Sequence, residues 1–150
     1  MEYTKLSEFT DDIVSIKPLF YRSFGRPGYL NSNITPGAYY VLHLLVREGE
    51  LSMTEIGEWL YISKPNVTTL IDKLIEKGFT ERLHDKQDRR IIKIKVTKKG
   101  LAFIEKSKKE FSVQVKKKLL TLSEEELNKL IVSFQTIKEI MSKISTAKNL

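Results

Sequence analysis

"LSMTEIGEWLYISKPNVTTLIDKLIEKGFTERLHDKQDRRIIKIKVTKKG", residues 51–100, passes from helical to strand periodicity in one run. Ser52 and Glu55 have capping-box spacing: the serine oxygen takes a free amide of the first turn and the glutamate reaches back to the cap. Ile56, Trp59 and Leu60 then supply the buried stripe of a short helix. After Tyr61 and Ile62, Ser63 is placed to cap a second helix, with Pro65 tolerated in its first turn. Val67, Leu70, Ile71, Leu74 and Ile75 share one face of it, and Gly78 ends it. Two helices joined by a tight turn make a helix-turn-helix, here without the glycine usual in the turn. Phe79 to His84 reads as a strand, and Ile92, Ile94 and Val96 alternate with Lys93 and Lys95 in a second. The charged loop Asp85 to Arg90 is therefore the tip of a hairpin, and a hairpin placed there is a wing.

The flanks are helical. Leu6, Phe9, Ile13, Ile16 and Phe20 fall on one face of residues 5–24, and Pro18 inside that pattern predicts a kink or a break near Lys17. Gly25 to Asn33 has loop composition, and Thr35-Pro36 opens a helix that runs to about Arg47 and stops at Gly49. Thr97 is placed to cap a helix over about 98–120. Ser123 and Glu126 form another capping box, opening a last helix to about Ile144. In that helix Leu127, Phe134 and Met141 share one register, Leu130, Ile137 and Ile144 the other, and Ile131 and Ile140 widen the stripe. The expected fold is mainly α with a small β-hairpin wing, in one domain over 1–150. The winged helix-turn-helix occupies 35–100. Apolar stripes that one chain of this size does not easily cover mark 1–30 and 101–150 as dimerisation helices.

Hydrophobic residues make up 41% and charged residues 30%, the balance of an ordinary folded protein. The longest apolar stretch, about Ala38 to Val46, is broken by His43 and far short of the roughly 18 residues of a membrane span. The N-terminus carries acids early and no apolar segment of the kind a signal peptide needs. There is no cysteine, so disulfides, thiolate metal sites and thiol switches are excluded, and a cytoplasmic location is expected. The net charge of +7 is uneven: residues 31–60 hold one basic side chain against four acidic, whereas residues 61–100 hold eleven against five. A basic patch of this kind suits phosphate backbones or an acidic partner, and equally a solvated face.

With the core face of the second helix assigned, its outward face offers Lys64, Pro65, Asn66, Thr68, Thr69 and Lys73, with Ser63 at its entry. Asparagine pairs with adenine, lysine with guanine, and threonine touches a thymine methyl or a phosphate. Such a face is commonly just solvated, and the adjoining wing and local charge favour nucleic acid. At the wing tip, Lys86, Arg89 and Arg90 are placed for phosphates or a narrow minor groove, and Asp88 lies close enough to brace Arg90.

The run from Leu70 to Gly100 resembles the signature of MarR-type winged-helix regulators: a recognition helix ending at Gly78, Glu81-Arg82 on the first wing strand, Asp88 to Arg90 in the wing, then Thr97 and Gly100. The likeness covers essentially the whole chain. It implies a homodimer that binds pseudo-palindromic double-stranded operator DNA, usually as a repressor of transcription released by a ligand. By that likeness Arg90 enters the minor groove, and Lys64, Asn66, Thr68 and Thr69 take the major-groove positions. Thr69 stands where relatives often carry a basic residue. The competing class is a winged-helix interaction module that holds an acidic protein partner on the same surface.

Enzyme readings find no phosphate-binding glycine loop, nucleophile elbow or paired metal-ligand histidines, so neither catalysis, cofactor nor metal is expected. His43 and His84 are the only histidines. His43 sits among apolar neighbours, where a core role is the commoner one. With Tyr21, Tyr39, Tyr40 and Phe24 it is also a candidate aromatic pocket, and Tyr21, Tyr39 and His43 are the expected contacts of a small aromatic or phenolic effector.

Overall fold

The computed structural model describes residues 2–26, 34–85, 88 and 90–146. In chain order the elements are α1 (Glu2–Phe24), α2 (Pro36–Glu48), β1 (Leu51–Ser52), α3 (Met53–Leu60), α4 (Lys64–Glu76), β2 (Thr80–His84), β3 (Ile92–Val96), α5 (Lys98–Leu119) and α6 (Glu124–Thr146). They form two compact units, Met1–Ser112 and Val113–Leu150.

Local chemistry sets most element ends. Thr35 caps α2 by accepting from the Ala38 amide at 3.3 Å, and Pro36 occupies the first turn, where no amide partner is lost. Both halves of the Ser52–Glu55 box are made, at 3.2 and 2.7 Å. The end of α4 is a Schellman motif: the Phe79 amide reaches Leu74 O at 2.9 Å and the Gly78 amide reaches Ile75 O at 2.8 Å. Gly78 takes φ of +70° to allow it. Two expectations need correcting. Ser63 holds the cap position of α4, but its side chain makes no cap hydrogen bond. Of the kink or break expected near Lys17, the break does not occur: α1 runs unbroken through Pro18. The turn beyond Pro18 is held by side chains, Phe20 and Phe24 with ring centroids 5.0 Å apart and the Tyr21 hydroxyl hydrogen-bonded to that of Tyr40, and these contacts offset the lost backbone bond.

The core of the first unit lies where α2, α3, α4 and the sheet meet. Val41, Leu42, Ile56, Val67, Ile71, Leu74 and Ile94 are fully buried there, and Ile104 brings α5 onto the same cluster. The hairpin is part of a three-stranded antiparallel sheet of order β1-β3-β2. β2 and β3 pair from Thr80↔Val96 to His84↔Ile92, and Leu51↔Ile94 and Ser52↔Lys93 add β1. β1 escapes a sequence reading because two residues carry no alternation. Ile94 is held on both sides and buried, while Ile92 lies toward the wing tip and is exposed.

The Thr97-x-x-Gly100 segment joins α5 to the end of α4. The Thr97 hydroxyl donates to Gly78 O at 2.6 Å and accepts from the Gly100 amide at 3.1 Å. A Cβ on Gly100 would lie 2.2 Å from Phe79 O, so no side chain fits at that position without moving backbone. In the second unit, Ser123 and Glu126 complete their capping box at 2.8 and 3.3 Å and start α6. No described helix is long and apolar enough to cross a membrane.

Candidate nucleic-acid interface

The helix-turn-helix is tight because Tyr61 takes the role a glycine usually fills. Its backbone is left-handed (φ 52°, ψ 44°), and the Ile62 amide reaches back to Gly57 O at 3.0 Å. A β-carbon on Gly57 would come within 3.1 Å of Ile62 O, so that position too is fitted to the turn. Val67, Ile71 and Leu74 of α4 are buried, and Leu70 and Ile75 are half-buried. The helix therefore has one rotational setting, which leaves Lys64, Pro65, Asn66, Thr68, Thr69 and Lys73 exposed together on the opposite side, with Ser63 exposed at its start. Two of these side chains are already engaged: the Thr68 hydroxyl donates to Lys64 O and the Thr69 hydroxyl to Pro65 O, each at 3.1 Å.

The wing is braced by its aspartates. Asp85 accepts from the Asp88 amide at 3.1 Å and pairs with Lys93 at 2.8 Å, which raises the lysine's pKa. Asp88 takes the Arg90 amide at 2.9 Å and grips the Arg90 guanidinium, Nη2 lying 2.9 Å from Oδ2. The Arg90 side chain, and after it the Arg90 amide, holds the Asp88 carboxyl below its usual range. Arg90 stays 91% exposed, so the contact aims the cation without removing it from solvent. The expected brace is thus present. Lys86 and Arg89 lie outside the described residues.

One connection was not evident from the sequence. Arg82 on β2 reaches Asp72 on α4, Nη2 to Oδ1 at 2.6 Å, and ties α4 to the base of the wing. Both groups are about half exposed, so the pair contributes only about 0–1 kcal/mol of stability and serves chiefly as an orienting contact. The only signal available was Arg82 in the wing signature, which names no partner.

The aromatic candidates form a chain of contacts, Tyr21 to Tyr40, Tyr40 to Tyr39 and Tyr39 to His43. Tyr39 is buried, and its ring centroid lies 6.2 Å from that of His43. Burial raises the Tyr39 phenol, and burial, then Lys108 and Arg47, lower the His43 pKa. Tyr21 lies against Tyr40, whose pKa is pushed up to about 12, mainly by burial and then by the bond from Tyr21. An open concavity beside Tyr21 is lined by Lys17, Pro18, Arg22 and Arg26.

Residues 34–92 match the model of the MarR family. The chain is 33% identical over 97 residues to the uncharacterized HTH-type transcriptional regulator YkoM of Bacillus subtilis, covering 65% of this chain and 63% of that protein. It is 32% identical to the HTH-type transcriptional repressor MdtR of the same organism, over 61% of this chain and 60% of that one. The chain thus spans less than two thirds of these curated relatives. Among solved structures, a MarR family protein from Bacillus stearothermophilus superposes with a TM-score of 0.75 at 22% identity, covering 97% of this chain and 99% of that one, which establishes the fold. The match to the MarR family model thus runs from just ahead of α2 to the start of β3, over the helix-turn-helix and the wing, and the solved neighbour shares that fold.

Proposed function

We propose that the protein is a sequence-specific DNA-binding transcriptional regulator. It acts as a homodimer on a two-fold operator, with α4 in the major groove and the wing beside it. The observation that carries this reading is the pairing of an exposed polar face on α4 with an exposed, carboxylate-aimed Arg90 on the adjoining wing. Base edges and phosphates are the ligands that such a pair addresses together. Dimerisation is supported by apolar side chains exposed on a single chain: Leu6, Phe9, Ile13 and Leu19 on α1, and Phe134, Ile137, Ile140 and Ile144 on α6. A repressor's role is supported by the likeness to the transcriptional repressor MdtR.

Titration of labelled upstream DNA against excess random DNA tests the reading. Operator recognition gives a specificity ratio of about a thousandfold or more. A ratio near one would favour the competing module that binds an acidic protein. Release by a small aromatic or phenolic effector is part of the proposal, with Tyr21, Tyr39 and His43 as its contacts and the cations beside Tyr21 suited to a carboxylate or phenolate. Gel shifts with aromatic acids on the wild type and on His43→Gln and Tyr21→Ala test it. With no cysteine in the chain, peroxide is expected to give no reductant-reversible release.

A further inference from the structure

The recognition helix contains no arginine, and the hydroxyl protons of its two central threonines are already spent. Thr68 and Thr69 both donate within the helix, to Lys64 O and Pro65 O. A threonine hydroxyl has one proton and two lone pairs, so each residue is left with an acceptor oxygen and a methyl group for a ligand. Both side chains are exposed, and so is the apolar ring of Pro65 one turn earlier.

That inventory is selective among base pairs. In the major groove an A·T pair presents the adenine N7 acceptor, the N6 amine donor, the thymine O4 acceptor and, at its outer edge, the thymine methyl. A G·C pair presents two acceptors, guanine N7 and O6, and the cytosine N4 donor, but no methyl. Both pairs thus offer an amine to the threonine oxygen, and only the A·T pair adds a methyl against which the threonine methyl can pack. Asn66, exposed on the same face, has the bidentate amide that adenine takes. Lys64 and Lys73, the cations of this face and its side chains best suited to guanine, flank the threonines along the helix.

From this donor count we infer that Thr68 and Thr69 read A·T pairs through the thymine methyl, so that the operator half-site carries A·T at the base steps facing them, with any G·C contacts confined to the flanks. The inference rests on the DNA-binding reading above and adds the chemical identity of the bases.

The full-length protein is used to select sites from a randomised duplex library. The selected site is then resynthesised with deoxyuridine for thymidine, one position at a time, which deletes only the methyl. A lost methyl contact is expected to weaken binding about fourfold per half-site and about fifteenfold when both half-sites are changed. A Thr68→Ser/Thr69→Ser protein lacks the protein methyls but keeps the hydroxyls. It is expected to bind the thymidine site about as weakly as the wild type binds the uridine site, and to be indifferent to the exchange. Thr68→Val/Thr69→Val keeps the methyls and should remain sensitive to uridine. Unchanged thermal unfolding of both variants establishes that affinity alone has moved. Selection of G·C at the positions whose preference the variants alter would overturn the inference while leaving the proposed function standing. Indifference of the wild type to uridine at every position would do the same. Failure to select any site would overturn both.

Discussion

In α4 the apolar residues Val67, Ile71 and Leu74 have no exposed surface, whereas in α6 Phe134, Ile137, Ile140, Met141 and Ile144 are all more than two-fifths exposed in the single chain. Both helices carry a regular apolar stripe and both are well capped or terminated, so neither local propensity nor patterning separates them. What separates them is how much of the stripe stays exposed in the single chain. The winged region covers its own stripe with α2, α3 and the sheet. That fixes the rotation of α4, and the polar face follows as a by-product of packing. α6, like α1, has a stripe of the kind that a second chain covers.

The largest expected effect comes from breaking the uncovered side. Phe134→Glu with Ile137→Glu puts charge into the α6 stripe and should give a monomer by sedimentation, with operator affinity reduced at least a hundredfold because half-sites no longer bind together. The covered side should be indifferent: far-ultraviolet dichroism retains its helical signal, since Phe134 and Ile137 belong to no part of the winged core. A dimer that persisted, with full affinity, would place the interface elsewhere.

The converse is to damage the covered side. Gly100→Ala forces a β-carbon against Phe79 O, a rigid backbone atom, and should destabilise the protein by about 3 kcal/mol in denaturant unfolding. Thr97→Ala, which deletes the link between Gly78 O and the Gly100 amide, should cost about 1–2 kcal/mol. Gly100→Ala at wild-type stability would mean that the close approach of α5 to the α4–β2 joint relaxes freely.

This contrast also explains what could be read in the sequence. The helices, the wing and the exposed face of α4 follow from periodicity and from caps, because a burial stripe such as Val67, Ile71 and Leu74 fixes the opposite face as well. β1 did not follow: Leu51 and Ser52 are a strand only because Ile94 and Lys93 pair with them. Nor did the continuity of α1, since contacts by Phe20, Tyr21 and Phe24 outweigh the local preference of Pro18. At the interface, the residue types were legible and their commitments were not. That Ser63 makes no side-chain cap, that Thr68 and Thr69 donate inward and that Arg82 pairs with Asp72 are tertiary or rotameric facts, which spacing does not encode. The aromatic candidates illustrate the same limit: the sequence grouped Tyr21, Tyr39, Tyr40 and Phe24 with His43, but not the order of contacts, in which Tyr40 stands between Tyr21 and Tyr39.

At the surface itself the effects should be smaller and of a different kind. Arg90→Ala is expected to weaken binding about tenfold across sequences and to lower the salt slope by about one phosphate per subunit. Asp88→Asn keeps the arginine but loosens its aim. It should lose affinity while keeping the wild-type salt slope, and that split separates orientation from charge. An Arg90→Ala protein with unchanged slope would show that the wing does not touch DNA.

His43 offers a gentler probe of the α2 face. Its folded pKa lies below the ordinary value of about 6.5, so on acidification the unfolded chain takes up the proton first. Stability is therefore expected to fall as pH drops through about 6.5, and His43→Gln should flatten that slope. The depressed carboxylates Glu55, Asp88 and Glu126 act in a separate window: their contribution is present above about pH 4.5 and lost below it. A wild-type melting temperature constant between pH 7.5 and 5.5 would exclude a His43 held neutral by partial burial.

The smallest expected effect is a gain. Thr80, the first residue of β2, is 2% exposed, and its hydroxyl has no hydrogen-bond partner. A buried hydroxyl without a partner loses its hydration with no return, whereas valine fills the same volume without that penalty. Thr80→Val should therefore stabilise by about 1 kcal/mol, or a rise in Tm of about 2–4 °C. Thr80→Ser is the control. It keeps the unsatisfied hydroxyl and gives up a buried methyl, so it should lower Tm by a similar amount. The pair also sharpens the comparison between regions, because a substitution confined to the self-covered core should leave the dimer's mass and its operator affinity untouched. A lower Tm for Thr80→Val would show that the hydroxyl finds a partner in solution and that this edge of the core is polar by design.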